Sequence, residues 1–318
     1  MGACSARAAA PQDDVLRRVR ESDAGTVASQ LVEGLDLQMD DYLPHEASNC
    51  RATSAAIVLH ATGTPESSGV LALRTAPAPT PRRRTQLSLN VDFGPRAKNS
   101  WVLVGARNSG TINVAIKQEN AVVIIGSDGH FKDLQIRSHQ PSDTVIVGNR
   151  VSTGPKCLLV SGTGSGEARP SLIVGSDCMF AEEVVVRNTD AHPILIENPE
   201  SEPTQTDASV AERYYHANAP AKGVCIEPHV WLCQRAAVLK GVTVGANSIV
   251  GFGAVVTKDV PRCSVARGIP ATSFPLPPGA RWARSFHDAA VETATEFLQR
   301  FTSHAAESEQ NDEAKGTN

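Results

Sequence analysis

Ile226 to Pro261 reads IEPHVW LCQRAA VLKGVT VGANSI VGFGAV VTKDVP, a six-residue pattern that runs six times in succession without a gap. The first slot is always aliphatic: Ile226, Leu232, Val238, Val244, Val250 and Val256. The fifth is always small or β-branched: Val230, Ala236, Val242, Ser248, Ala254 and Val260. A period of six is neither the 3.6 of a helix nor the alternation of a simple strand. Units this short bury no core alone and must stack, which is the sequence signature of a parallel β-helix. Three hexads are expected to close one triangular coil, with aliphatic side chains inside and turns at the corners.

Outward from this stretch the pattern loosens. Val174 to Ala191 keeps the register as VGSDCM FAEEVV VRNTDA, and an insertion rich in Pro, Glu, Thr and Ala then separates it from the unbroken hexads. Upstream, WVLVG (101–105), INVAI (112–116), AVVIIG (121–126), TVIVG (144–148), CLLV (157–160) and SLIVG (171–175) recur with Gly or Asn between them. They predict the early part of the same solenoid, with loops interrupting its coils. The fold expected is mainly β. The β-helix is placed over residues 86–275, with a loop extruded at 193–223. Before it, residues 1–85 predict helices within Asp13–Met39, a strand-like run at Ala56–Leu59 and a linker through APAPTPRRR. After it, 276–304 predict a C-terminal helix, from the apolar spacing of Trp282, Phe286, Ala290, Ala294 and Phe297. Residues 305–318 predict a disordered polar tail.

Composition narrows the function. The net charge of −4 gives nucleic acid and anionic membranes no electrostatic handle. Aromatic residues make up only 4% of the chain, as narrow coils require. Seven cysteines form no CxxC pair, which favours reduced thiols over disulfides or a zinc site. No apolar stretch approaches the ~20 residues of a membrane span, and the first residues lack the apolar core of a secretory signal. A cytoplasmic location is expected.

Four local signatures carry the candidate chemistry. They are Arg187-Asn188-Thr189-Asp190-Ala191-His192-Pro193-Ile194; Asn218 to Val224; His229-Val230-Trp231-Leu232 with Val238 to Val242; and Gly251-Phe252-Gly253 through Thr257-Lys258-Asp259, followed by Ala266 to Ala271. Together they resemble the left-handed β-helix acyltransferases, in particular the bacterial O-acetyltransferases that modify sugars and polysaccharides. The resemblance is specific over Val174–Ala271 and weaker over Gln86–Ser171.

The resemblance implies a homotrimer with acetyl-CoA in the groove between subunits, a sugar or polysaccharide acceptor, and no metal. It assigns His192 as general base and Trp231 to the wall of the donor site. Gly251, Gly253, Lys258, Arg267, Gly268, Pro270 and Ala271 are assigned to the coenzyme's arm and phosphates. The chemistry agrees. A thioester is already activated, so the missing element is a base for the acceptor hydroxyl, and an imidazole titrates in the right range. Asp190 or Glu197 is the expected orienting acid, His229 reads as structural or as a support behind the site, and Tyr214, Tyr215 and His216 lie where an acceptor would approach. Glu227 and Cys233 stand where the family has Gly, at turns expected to border the donor groove. Arg267 and Ile269 also depart from the family's residues before Pro270.

Two other classes are kept open. One is a non-catalytic trimeric scaffold. The other is a metal-dependent β-helix enzyme of the carbonic-anhydrase type, which needs three histidines, whereas Gln234 stands five residues past His229.

Overall fold

The computed structural model describes residues 42–46, 51–53, 57–63, 68–73, 86–162, 171–192, 194–197, 214–216 and 221–285. The helices expected within 13–39, the linker, most of the extruded loop and the tail at 305–318 lie outside them. Of the expected C-terminal helix only 276–285 is described, and that stretch runs without helix, fixed to the coils by Trp282 and Arg284.

The described chain is a left-handed parallel β-helix. A first face stacks Gly69–Leu73, Trp101–Val104, Val122–Ile125, Thr144–Val147, Leu172–Val174, Val224–Ile226 and Thr243–Val244. A second face stacks Ser152–Thr153, Met179–Phe180, Trp231–Leu232, Ile249–Val250 and Ser264–Gly268. The third carries Cys157–Ser161, Val185–Arg187, Ala237–Val238 and Val255–Val256. Ser264–Gly268 turns back antiparallel onto Ala271–Pro275 and closes the end of the stack.

The hexads behave as their spacing predicts. All six first-slot side chains are at most 1% exposed and all six fifth-slot side chains at most 3%. Stacking aligns these residues into columns. One runs Ala61, Val91, Val114, Ile136, Leu159, Val186, Val238, Val256 through eight successive coils, every member buried. Each fully buried valine or leucine contributes on the order of 1.5–3 kcal/mol of gross hydrophobic stabilisation.

The early coils differ from expectation in two ways. The loose spacing over 86–162 comes from longer strands and from longer turns at the third corner, such as 94–100, 117–121 and 139–143. Leu87–Phe93, Ser109–Ile116 and His130–Ser138 are single long strands, and the last pairs with both Ser152–Thr153 and Cys157–Ser161. One strand there bends through what becomes two faces and a corner in the next coil. The stack also begins before residue 86: Ile57–Thr62 pairs in parallel with Leu87–Phe93, and Gly69–Leu73 with Trp101–Val104.

Corner chemistry sets the stacking. Between the first and second faces Gly105, Gly126, Gly148, Gly175, Glu227 and Gly245 succeed one another, each donating its N–H to the coil above. A Cβ on Gly148 would lie 2.6 Å from the Ser176 nitrogen and 2.7 Å from the Gly175 carbonyl carbon, closer than atoms pack. Glu227 breaks the column because its carboxylate is used there. It accepts the Ala246 N–H (2.7 Å) and two guanidinium N–H groups of Arg262 (2.6 and 2.9 Å). We expect Gly148→Ala to cost about 1–3 kcal/mol by overpacking, read by chemical denaturation. A loss below about 0.5 kcal/mol, the range of an ordinary surface change, would show that the corner does not limit the stacking.

Candidate active site

The chain leaves the third face at Arg187 and enters the extruded loop, and the residues at that exit are firmly tied. Buried Asn188 accepts the Gly162 N–H (3.0 Å) and donates to Ser161 Oγ (2.9 Å). Ser161 donates in turn to Asp143 (2.6 Å), which also receives Gln140 (3.0 Å). Arg187 Nε holds the Thr189 carbonyl (2.8 Å), and Thr189 Oγ1 accepts the Ala191 N–H (2.9 Å). A bridge from Thr189 to Ala221 closes the base of the loop.

His192 stands just beyond this base, exposed, with its imidazole making no hydrogen bond to the described residues. Asp190, the expected orienting acid, is ion-paired with Lys240 of the next coil. Glu197 lies further out, in Leu195–Glu197, which pairs antiparallel with Tyr214–His216. Exposed Lys258 sits on the corresponding turn one coil beyond Lys240, beside Asp259, whose carboxylate accepts the Thr243 N–H (2.7 Å). Lys222 runs along the same corner, close to Gly241. Among the described residues this third corner therefore presents the exposed imidazole of His192 together with Lys222, Lys240 and Lys258.

The other expected site residues gather elsewhere. Gly251 ends a stack of small corner residues, Gly154, Ala181, Cys233 and Gly251, between the second and third faces. Cys233 is half-buried directly beneath Gly251, and burial raises its thiol pKa. Gly253 (φ +64°) ends a second column, after Lys156, Glu183 and Arg235, of which the last two are ion-paired at 2.8 Å. A Cβ on Gly253 would meet nothing within 4 Å. The backbone at this corner is thus left bare where packing does not demand it. Arg267 lies beside Gly251, with its guanidinium 4.4 Å from the ring centre of Phe274. Gly268 and Ala271 pair across the hairpin turn that holds Ile269 and Pro270.

Trp231 lies on the second face in register with Met179 and Ile249, and its ring is 6.1 Å from that of Trp282. The sequence pattern marks Trp282 only as a position of the expected helix and gives no sign of Arg284. Trp282 stacks on His229 (4.1 Å) and donates to its carbonyl. His229 faces Asp177 through Nδ1 (2.6 Å) and the Trp282 carbonyl through Nε2 (2.9 Å), a structural role. Arg284 bonds Asp177, Ser152 and the carbonyls of Arg150 and Cys178. Burial acts to raise the Asp177 pKa, but the His229 hydrogen bond and the Arg284 charge hold it below the usual range.

Two clusters result. His192, Asp190 and Lys258 share the third corner, while Trp231, Gly251, Gly253, Arg267, Gly268, Pro270 and Ala271 share the second face and second corner. The third face of the same chain lies between them. Burial raises the thiols of Cys157 to about 11 and of Cys178 and Cys225 to about 12, so none of the three is a ready nucleophile. Among the described residues no three His, Cys, Asp or Glu side chains converge as a metal site. No described helix is long and apolar enough to cross a membrane.

Burial lifts the Asp143 carboxyl to about 6, and its Oδ2 is enclosed without a hydrogen-bond partner among the described residues. The folded chain therefore holds this proton more tightly than the unfolded one. Stability should fall as pH rises from 3.8 towards 6, by about 3 kcal/mol. Asp143→Asn should remove that step, as seen in denaturation free energies at pH 4 and pH 7; an unchanged pH dependence would refute it.

No family model matches the chain. It is 31% identical over 127 residues to a polysialic acid O-acetyltransferase of Escherichia coli O1:K1, a match covering 40% of this chain and 34% of that protein. It is 36% identical over 99 residues to a galactoside O-acetyltransferase of Lactococcus lactis, covering 31% of this chain and 40% of the relative. The matches therefore span little more than a third of these curated relatives. Among solved structures, that of the polysialic-acid-specific acetyltransferase NeuO superposes with a TM-score of 0.56 at 22% identity, covering 80% of this chain and 99% of that one. That likeness speaks for the fold.

Proposed function

We propose that this chain, a hexapeptide-repeat β-helix protein related to sugar O-acetyltransferases, transfers acetyl from acetyl-CoA to a hydroxyl of a sugar or polysaccharide. The observation that carries the reading is the exposed imidazole of His192 on a loop base fixed by Asn188, Ser161 and Asp143. The donor's thioester supplies an acyl group that needs no metal or covalent enzyme intermediate. His192 takes the proton of the acceptor hydroxyl as its oxygen forms the new ester bond, and gives that proton to the sulfur as the C–S bond breaks. Protons and charge balance without a further reactant.

The donor's phosphates find cations in Lys258, Lys222 and Arg267, and its thin arm finds bare backbone at Gly251 and Gly253. Because the third face separates these two clusters, the site is completed between chains. In a threefold assembly the third corner of one subunit meets the second corner of its neighbour. Asp190 acts through Lys240, fixing the loop that carries His192. Glu227, tied into the first corner, takes no part in the donor groove.

Exposed His192 contributes little to folding, so His192→Ala should keep its melting temperature. It should lose ~10²–10⁴-fold in kcat when acetyl transfer is followed by thiol release with sugar acceptors. Retained turnover would remove His192 as the base. Absence of turnover with every acceptor, together with absence of CoA binding, would favour a scaffold.

A further inference from the structure

The two arms of the His192 loop meet on one buried residue, and behind it lies a carboxyl that no cation answers. Asn188, fully buried, donates its N–H to the Val160 carbonyl (3.1 Å), and its own carbonyl accepts the Lys222 N–H (2.9 Å). The outgoing arm is thereby fixed to the returning one and to the coil before. Its side chain adds two bonds to that coil, accepting from Gly162 and donating to Ser161 Oγ. Ser161, also fully buried, donates to Asp143 Oδ1, which Gln140 shares. The Ser161 hydroxyl is therefore a relay: its one proton goes to Asp143 while its oxygen takes a proton from Asn188.

The surroundings of Asp143 are neutral. The carboxyl is 1% exposed, its Oδ2 has no partner among the described residues, and Ser138 Oγ, equally buried, has none either. The groups that act on its ionisation, against the effect of burial, are Ser161, Ser138, Gln140 and the Thr144 N–H. Charged side chains on the neighbouring elements are engaged elsewhere: Lys117 with Asp92, Arg137 with Gln135, Arg187 with the Thr189 carbonyl and Asp190 with Lys240. Glu119 lies on the turn of the preceding coil, which gives its carbonyl to the Ser142 N–H. Burial, with Arg137 and Lys117, holds His139 on the same turn below its usual pKa, so it is no counter-cation.

An asparagine would occupy this place at less cost to folding than a buried carboxylate. What the charge provides is a stronger bond. A hydrogen bond to a carboxylate is roughly twice as strong as a neutral one, and in a chain of donors each bond polarises the next. The Ser161–Asp143 distance of 2.6 Å falls in the short range of such bonds.

We propose that the Asp143 carboxylate is a positioning group for His192: through Ser161 it tightens the hold of Asn188 on both arms of the loop. That this order serves acetyl transfer rests on the O-acetyltransferase reading; the hold itself does not. The charge acts against global stability and for local order, so its removal should move the two in opposite directions.

Asp143→Asn keeps the shape and the acceptor oxygen and offers an N–H to Ser138, without the charge. In the full-length protein at about pH 8, above the ionisation at about 6, it should melt higher than wild type. It should nevertheless exchange the Gly162 and Lys222 amide hydrogens about tenfold faster. With acetyl-CoA and either galactose or an α2,8-linked sialic acid hexamer as acceptor, its kcat should fall about tenfold while both KM values stay put. At about pH 5, where wild-type Asp143 is protonated, the two proteins should exchange and turn over alike. Ser161→Ala should show the same losses at the higher pH, and the double variant no more than either alone.

An Asp143→Asn protein that melts higher but keeps wild-type exchange and kcat would make Asp143 merely structural and overturn the proposal. Equal losses at both pH values would do so too, because the charge would then not be the cause. Faster exchange with unchanged kcat would overturn the link to His192. A wild type inactive on both acceptors would count against the reaction, and exchange alone would then uphold or overturn the hold on the loop.

Discussion

Everything in this molecule follows from one spacing. Parallel strands in successive coils must sit about 4.8 Å apart to share hydrogen bonds, so whatever occupies a position in one coil lies directly against its counterpart in the next. Inside, this aligns the valines and leucines into continuous buried columns. At the first corner it leaves no room for a Cβ against the coil above, hence the run of glycines. Outside, the same rule turns residues 20 or 50 positions apart into neighbours, and the candidate site is built from such neighbours.

The rule also underlies our proposal that the site is shared between chains. A triangular coil points its corners away from one another, so a base on the third corner and bare glycines on the second cannot meet within a subunit. Rotating a second copy about a threefold axis brings unlike corners together with no change in either chain. On that proposal the fixed loop base, the pairing of Asp190 with Lys240 and the bare backbone at Gly253 belong to one arrangement shared between subunits.

Much of the fold was legible in the hexads because a repeat states its own geometry: the aliphatic slot of IEPHVW is the buried one. The early coils were harder to read. LSLNVDF alternates in and out as a plain strand does, and a strand that bends through a corner carries no punctuation to mark it. For the same reason the coils before residue 86 passed unnoticed, apart from the short run at Ala56–Leu59. His192 could be singled out because it stands at the end of a recognisable segment. Lys240, 50 residues from its partner Asp190, could not, nor could Arg284, whose partners lie more than 100 residues away. The row of Asn90, Asn113 and Gln135 left no signal in the sequence, since it forms only once coil length is known. Glu227 was conspicuous as a departure from Gly, but its partner Arg262, 35 residues further on, was not.

The central claim is that the base and the donor surface come from different chains. It is tested most directly by mixing two inactive variants, His192→Ala and Gly253→Trp, denaturing and refolding them together, and measuring acetyl transfer. Random mixing in a threefold assembly gives about a quarter of the sites one intact corner from each partner, and the account predicts activity near that fraction of wild type. A mixture as inactive as either variant alone, with both variants assembled, would contradict it.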